Sequence, residues 1–228
     1  MSYYLLLLLA IVPGLLISYL IFRIDKYEHE PWWALALCFA LGGAATIPAI
    51  NAERWLFSMV APAPYSHVFE VVFLAFIGVA LVEEGIKYLV LVAGAYTGKF
   101  FNEPLDGIVY AVLIAMGFAT FENILYADRY DWQTMVLRAF TAVPAHLAFA
   151  IVQGYYVGLA KFRPAKRSKL LFRGFVVALL LHGVYDFLIL QNWTDWLFVL
   201  ASVSLYLSLF YCGTLVRLHQ ESSPFRRR

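Results

Sequence analysis

The sequence predicts an all-α, polytopic membrane protein of about seven transmembrane helices. Three observations carry this. Of its 228 residues, 63% are hydrophobic and 14% are charged, where a soluble domain carries roughly 25% charged residues. Seven apolar runs reach the length of about 20 residues that a spanning helix needs. Lysine and arginine fall unequally between the breaks that separate those runs. No polar stretch is long enough for a separate soluble domain, so residues 1–228 read as one integral membrane domain.

The first run, Tyr3–Phe22, leads into RIDKYEHE with no small-residue cleavage site before the charges. It therefore reads as a span rather than a signal peptide. The second, Pro31–Ile50, opens at a proline, after a polar stretch holding Asp25, Glu28, His29 and Glu30. The third and fifth, His67–Tyr96 and Thr134–Lys161, are longer than a bilayer requires and are expected to tilt or extend into water. The fourth is Leu105–Tyr126, with Asp106 and Asp128 expected to be solvated near its ends. The sixth and seventh, Leu171–Gln191 and Trp193–Leu218, are parted only by Gln191–Asn192, and this short break decides whether they are two spans. Trp32, Trp33, Trp132, Trp193 and Trp196 stand at run ends, as aromatic belts do.

With seven spans and the N-terminus outside, the inner loops and tail hold Arg23, Lys26, Lys99, Lys161, Arg163, Lys166, Arg167, Lys169, Arg173, Arg217, Arg226, Arg227 and Arg228. The outer loops hold only Arg54, Arg129 and Arg138. This bias places the C-terminus in the cytoplasm and makes KFRPAKRSK a topology signal. Basic residues at membrane borders give no reason to expect a nucleic-acid partner; the partner implied is lipid. Cys38 and Cys212 lie in apolar runs and read as small core residues. GYYVG, Gly154 to Gly158, has the small-xxx-small spacing that permits close helix contact. There is no visible internal repeat.

Ionisable residues well inside spans are costly and mark functional sites by default. Span three carries Glu83, Glu84 and Lys87, span four Glu122, span five His146, and span six His182 and Asp186. Lys87 is placed to reach either glutamate, at i,i+4 and i,i+3. The two adjacent glutamates point about 100° apart and are expected to do different jobs. His182 and Asp186 share a face, as do Phe118, Glu122 and Tyr126; Tyr126 reads as an interface anchor. Measured from the cytoplasmic ends at about 1.5 Å per residue, Glu83 lies roughly 17 Å deep, Glu122 about 25 Å, His146 about 21 Å, His182 about 17 Å and Asp186 about 22 Å. Four helices of alternating direction thus place their polar groups in one layer.

A carboxylate in a low-dielectric site makes a competent base near neutral pH. Imidazoles and carboxylates are also zinc ligands, three from the protein with a water in the fourth place; His146, His182 and either Glu122 or Asp186 meet that count. No serine or cysteine stands among these groups, which favours attack by water. The same residues admit blander readings: Glu84 with Lys87 as a buried ion pair, and His182 with Asp186 as a clamp between helices.

EEGIK, FATFENILY, RAFTAVPAH and HGVYD resemble, in order and spacing, the EExxK, FxxxE, Arg–Pro–His and HxxxD segments of the PrsW-type intramembrane proteases, and YEHEPWW is also similar. That family is related to the CAAX prenyl endopeptidases, from which Lys87, Glu122 and Asp186 depart. The resemblance implies an intramembrane endopeptidase of a bacterial cell membrane, acting on membrane-tethered proteins such as anti-sigma factors. It implies Glu83 as the water-activating base, with Glu84 and Lys87 as its support. Glu122, His146, His182 and Asp186 are then metal ligands or oxyanion stabilisers; Glu122, His146 and His182 are the expected metal set. Zinc and a metal-free glutamate mechanism are both compatible with the resemblance. The competing classes are a proton- or ion-coupled transporter, for which no inverted repeat or pair of broken helices is visible, and a catalytically inactive scaffold.

Overall fold

The computed structural model describes residues 3–60 and 67–226, so Arg227 and Arg228 of the expected basic tail lie outside the described residues. The chain runs through α1 (Tyr3–Ile24), α2 (Trp32–Phe57), α3 (Val68–Phe73), a π-helical segment (Leu74–Ala80), α4 (Leu81–Ala93), α5 (Asp106–Ala127), α6 (Trp132–Phe140), α7 (Ala142–Phe162), α8 (Arg167–Leu190) and α9 (Asp195–Glu221). No strand occurs among the described residues. Among the described residues, six helical stretches are long and apolar enough to cross a membrane. The third expected span is a seventh helical path, from Val68 to Ala93, with the π segment in its middle.

The bundle is organised around α5, most of which is buried and which packs against α1, α2 and α7. Small residues permit these approaches. A Cβ on Gly154 would meet the Gly107 carbonyl oxygen at 2.3 Å, and one on Gly158 the Pro104 carbonyl oxygen at 2.1 Å. The GYYVG spacing therefore lies at the α5–α7 contact.

The long fifth run is two helices. Thr141, with φ −124° and ψ −64°, breaks it between α6 and α7. The cause is Pro144, which has no N–H for the Phe140 carbonyl and would clash with it in a continuous helix. That carbonyl instead accepts from the Tyr206 hydroxyl at 2.9 Å. The short break before α9 is real: Gln191 Oε1 accepts from the N–H groups of Trp193 and Thr194 at 2.8 and 3.0 Å. One side chain thus turns the chain and separates α8 from α9.

Two expectations about polar groups are corrected. Asp106 is fully buried rather than solvated, because its Oδ2 accepts from the N–H groups of Asn102 and Glu103 at 2.6 and 2.8 Å as α5 begins. Asp25 and Glu30 are likewise buried, at 1% and 3% exposure, instead of lying in an open polar loop. The Tyr110 hydroxyl, from α5, donates to Glu30. Asp128 is exposed, as expected, and accepts from the Tyr3 hydroxyl.

Candidate active site

The π segment ends one turn before Glu83. Such i→i+5 turns are rare and concentrate at functional sites. Here the segment packs on α8 across Gly183, where a Cβ would meet Phe76 Cδ1 at 2.4 Å. The glycine beside His182 thus lets α8 approach the π segment closely.

That approach allows contact between α4 and α8. His182 Nδ1 donates to Glu84 Oε1 at 2.8 Å, and its Nε2 faces Asp186 Oδ2 at 3.3 Å. Glu84 Oε1 also receives Lys87 Nζ at 2.5 Å, while Glu83 Oε2 lies 3.4 Å from the same ammonium. Lys87 Nζ donates further to His146 Nδ1 at 3.2 Å, which leaves His146 Nε2–H to face Glu122 Oε2 at 3.3 Å. Phe118 and Phe149 pack against the imidazoles, Phe149 stacking on His182 at 4.8 Å. Glu83, Glu84, Lys87, Glu122, His146, His182 and Asp186 therefore form one connected polar group, contributed by α4, α5, α7 and α8.

The adjacent glutamates differ in setting. A cavity of about 430 Å³ is lined by Glu83, Glu122, His146, His182 and Asp186, and Glu84 and Lys87 are not among its walls. Phe57, Tyr130, Leu190 and Phe198 also line it. These residues sit at one end of the bundle, opposite the basic loops. For a metal, the closest set of ligand atoms is Glu83, Glu84 and His182, all within 4.8 Å of one another. Of the metal set expected from the sequence, His182 belongs to that group; Glu122 and His146 face each other.

Three residues of the site escaped the sequence reading. Arg138 was expected in an outer loop, but α6 carries it inward. Its Nη2 pairs with Glu122 Oε2 at 2.9 Å, its Nε donates to Asn123 Oδ1 at 2.6 Å, and its guanidinium lies 3.7 Å from the centre of the Tyr126 ring. Tyr126 is thus a wall of the cavity rather than an interface anchor, because Arg138 covers it. Glu53, half-buried, also faces the cavity from α2 with one oxygen unpartnered. It lies three residues beyond the expected end of its span. The sequence signal for Arg138 was its place inside an apolar run; a charge there needs a partner.

The model of the PrsW family of intramembrane metalloproteases matches residues 30–213. The chain belongs to this family. It is 37% identical over 202 residues to Protease PrsW of Clostridioides difficile (strain 630), covering 86% of this chain and 83% of that one. It is 36% identical over 185 residues to Protease PrsW of Geobacillus kaustophilus (strain HTA426), covering 80% and 79%. With Protease PrsW of Bacillus subtilis (strain 168) it shares 34% over 189 residues, covering 81% and 83%. No solved structure matches. As a PrsW-family member the chain is an intramembrane peptidase and a multi-pass protein of a bacterial cell membrane.

Proposed function

We propose that the chain hydrolyses a peptide bond of a membrane-tethered protein, with Glu83 as the base that takes a proton from the attacking water. The observation that carries this reading is the different placement of two adjacent carboxylates: Glu83 lines the cavity, and Glu84 stands behind it on Lys87 and His182. The water oxygen bonds to the substrate carbonyl carbon as its proton passes to Glu83. Arg138 lines the same cavity and, with Nε on Asn123 and Nη2 on Glu122, keeps Nη1 as a donor for the oxyanion, the kind of preorganised stabilisation that contributes most to acyl transfer. The C–N bond then breaks, and the proton held by Glu83 goes to the leaving amine. Glu84 with Lys87 fixes the wall behind the base. Glu122 and Asp186 orient the two imidazoles.

The residues fit a divalent metal, since Glu83, Glu84 and His182 offer two carboxylates and an imidazole within 4.8 Å of one another, ligand types that catalytic zinc accepts. Bound there, a metal supplies Lewis-acid polarisation of the water and the carbonyl. Glu83 would then both help to hold the metal and take the proton from the attacking water. The substrate is a single-pass or otherwise tethered membrane protein; the resemblance noted above points to an anti-sigma factor.

The test is cleavage of a membrane-tethered reporter in proteoliposomes. Glu83→Gln is expected to lose about 100-fold or more in rate while melting like the wild type. Undiminished turnover in that variant sinks the proposal. Chelation with metal analysis separates the two modes. Loss of activity restored by zinc supports the Glu83–Glu84–His182 site, whereas full activity in metal-free protein leaves Glu83 to act alone.

A further inference from the structure

A second cavity shares no wall residue with the one lined by Glu83, although Leu147 in its wall directly follows His146 of the site. It is a groove of about 560 Å³ between α1 and α9, floored by α7. Its walls are apolar: Ile17 and Leu20 from α1, Leu147 and Ile151 from α7, Leu209 and Val216 from α9. At one end Gln220 Nε2 donates to the Ile24 carbonyl at 2.7 Å and ties α9 to the end of α1. Lys26 and Arg217 stand at that same end. Both are exposed, and neither forms an ion pair among the described residues, although Glu221 follows Arg217 by one turn.

Gly213 gives the groove its width. Most glycines of the bundle sit where a Cβ would strike a neighbour: Gly14 at 2.1 Å, Gly107 at 2.4 Å, Gly154 at 2.3 Å. A Cβ on Gly213 would meet nothing within 4 Å, yet Gly213 lines this groove. No helix contact requires a glycine there; its effect is to leave room.

We propose that this groove binds an anionic phospholipid, one acyl chain lying against Gly213 and the phosphate held between Lys26 and Arg217. An apolar slot with two unpaired cations at its rim is complementary to an amphiphilic anion, and arginine suits a phosphate through its planar fork of donors. The groove's volume holds little more than roughly one turn of a helix about 10 Å across, which fits a lipid chain better than a transmembrane segment.

Native mass spectrometry of the full chain in detergent tests this, with dioleoylphosphatidylglycerol, dioleoylphosphatidylcholine and glycerol 3-phosphate as probes. Wild type is expected to retain the phosphatidylglycerol roughly tenfold better than the phosphatidylcholine, in keeping with two cations near a membrane surface. The double variant Lys26→Ala/Arg217→Ala should lose that preference. Gly213→Leu should lose both lipids while melting like the wild type, since its side chain enters open space. Equal retention of the two lipids by the wild type overturns the proposal, as does full phosphatidylglycerol retention in Gly213→Leu. Displacement by glycerol 3-phosphate alone would show a phosphate site without a lipid slot. A dimer that Gly213→Leu dissociates would show that a second copy occupies the groove.

Discussion

Arg138 Nη2 lies 2.9 Å from Glu122 Oε2, and the same guanidinium donates through Nε to Asn123 at 2.6 Å. One side chain of α6 thereby grips two successive residues of α5. The short helix ahead of the Pro144 break is fixed to the site by this contact as well as by packing.

Removing one partner of a buried pair leaves the other charge uncompensated, at roughly 3–5 kcal/mol. Glu122 and Arg138 keep 13% and 15% side-chain exposure, so Arg138→Ala is expected near the lower end, about 3 kcal/mol, read by unfolding in detergent. Adding Glu122→Gln should return part of that loss. Arg138→Lys keeps the charge but loses the fork to Asn123 and the stack on Tyr126, and should fall between. Strictly additive losses in the double variant would show that the pair is not coupled.

The two glutamates should separate activity from stability. Glu84→Gln removes the negative charge shared by Lys87 and His182, and is expected to cost roughly 2–3 kcal/mol of stability together with activity. Glu83→Gln removes a cavity-facing group held less closely by Lys87, at 3.4 Å, and should lose activity with little change in melting. Equal stability losses in the two variants would contradict the division between them.

Glycine contacts make a paired prediction. Gly154→Ala places a methyl against the Gly107 carbonyl, a backbone atom that cannot yield without moving α5 from α7; overpacking of this kind costs about 1–3 kcal/mol. Gly183→Ala meets the Phe76 ring first, a side chain rather than backbone. Its defect should appear chiefly in reporter cleavage, through displacement of the π segment and α4. Phe76→Ala in the Gly183→Ala background should restore part of that rate, and no restoration would mean that the glycine acts through another contact.

What the sequence showed and what it hid follow from one distinction. Apolar runs and ionisable residues far inside them are local signals, so Glu83, Glu84, Lys87, Glu122, His146, His182 and Asp186 were legible as a group, and their shared depth suggested a common layer. Long-range placement is not local. Arg138 looked like loop charge because it lies only four residues inside the expected start of its run, and the Pro144 break that tips α6 inward leaves no mark in hydropathy. Glu53 sat just past a span end, where charge is ordinary. The burial of Asp25, Glu30 and Asp106 depends on two loops meeting over α5, which no periodicity records. Likewise, hydropathy could not distinguish a continuous span from one with a π turn.

Those buried loop acids give the protein a pH dependence of its own. Burial pushes the Asp25 carboxyl up to about 8, with the charges of Glu103 and Asp106 adding to the shift. Burial likewise pushes Glu30 up to about 9, with Asp106 adding and the Tyr110 hydroxyl opposing. Glu103 is raised too, first by burial. In the unfolded chain such carboxyls titrate near about 4. Between these values the folded state holds protons that the unfolded state has released, so stability falls as pH rises. The stabilisation is full below about pH 4 and is lost as pH climbs through about 8 to 9. The unfolding temperature in detergent should therefore decline from mildly acid conditions towards pH 9. Asp25→Asn, which is neutral throughout, should flatten that decline while leaving the distant site around Glu83 intact. A slope identical to the wild type in Asp25→Asn would place the titrating groups elsewhere in the bundle.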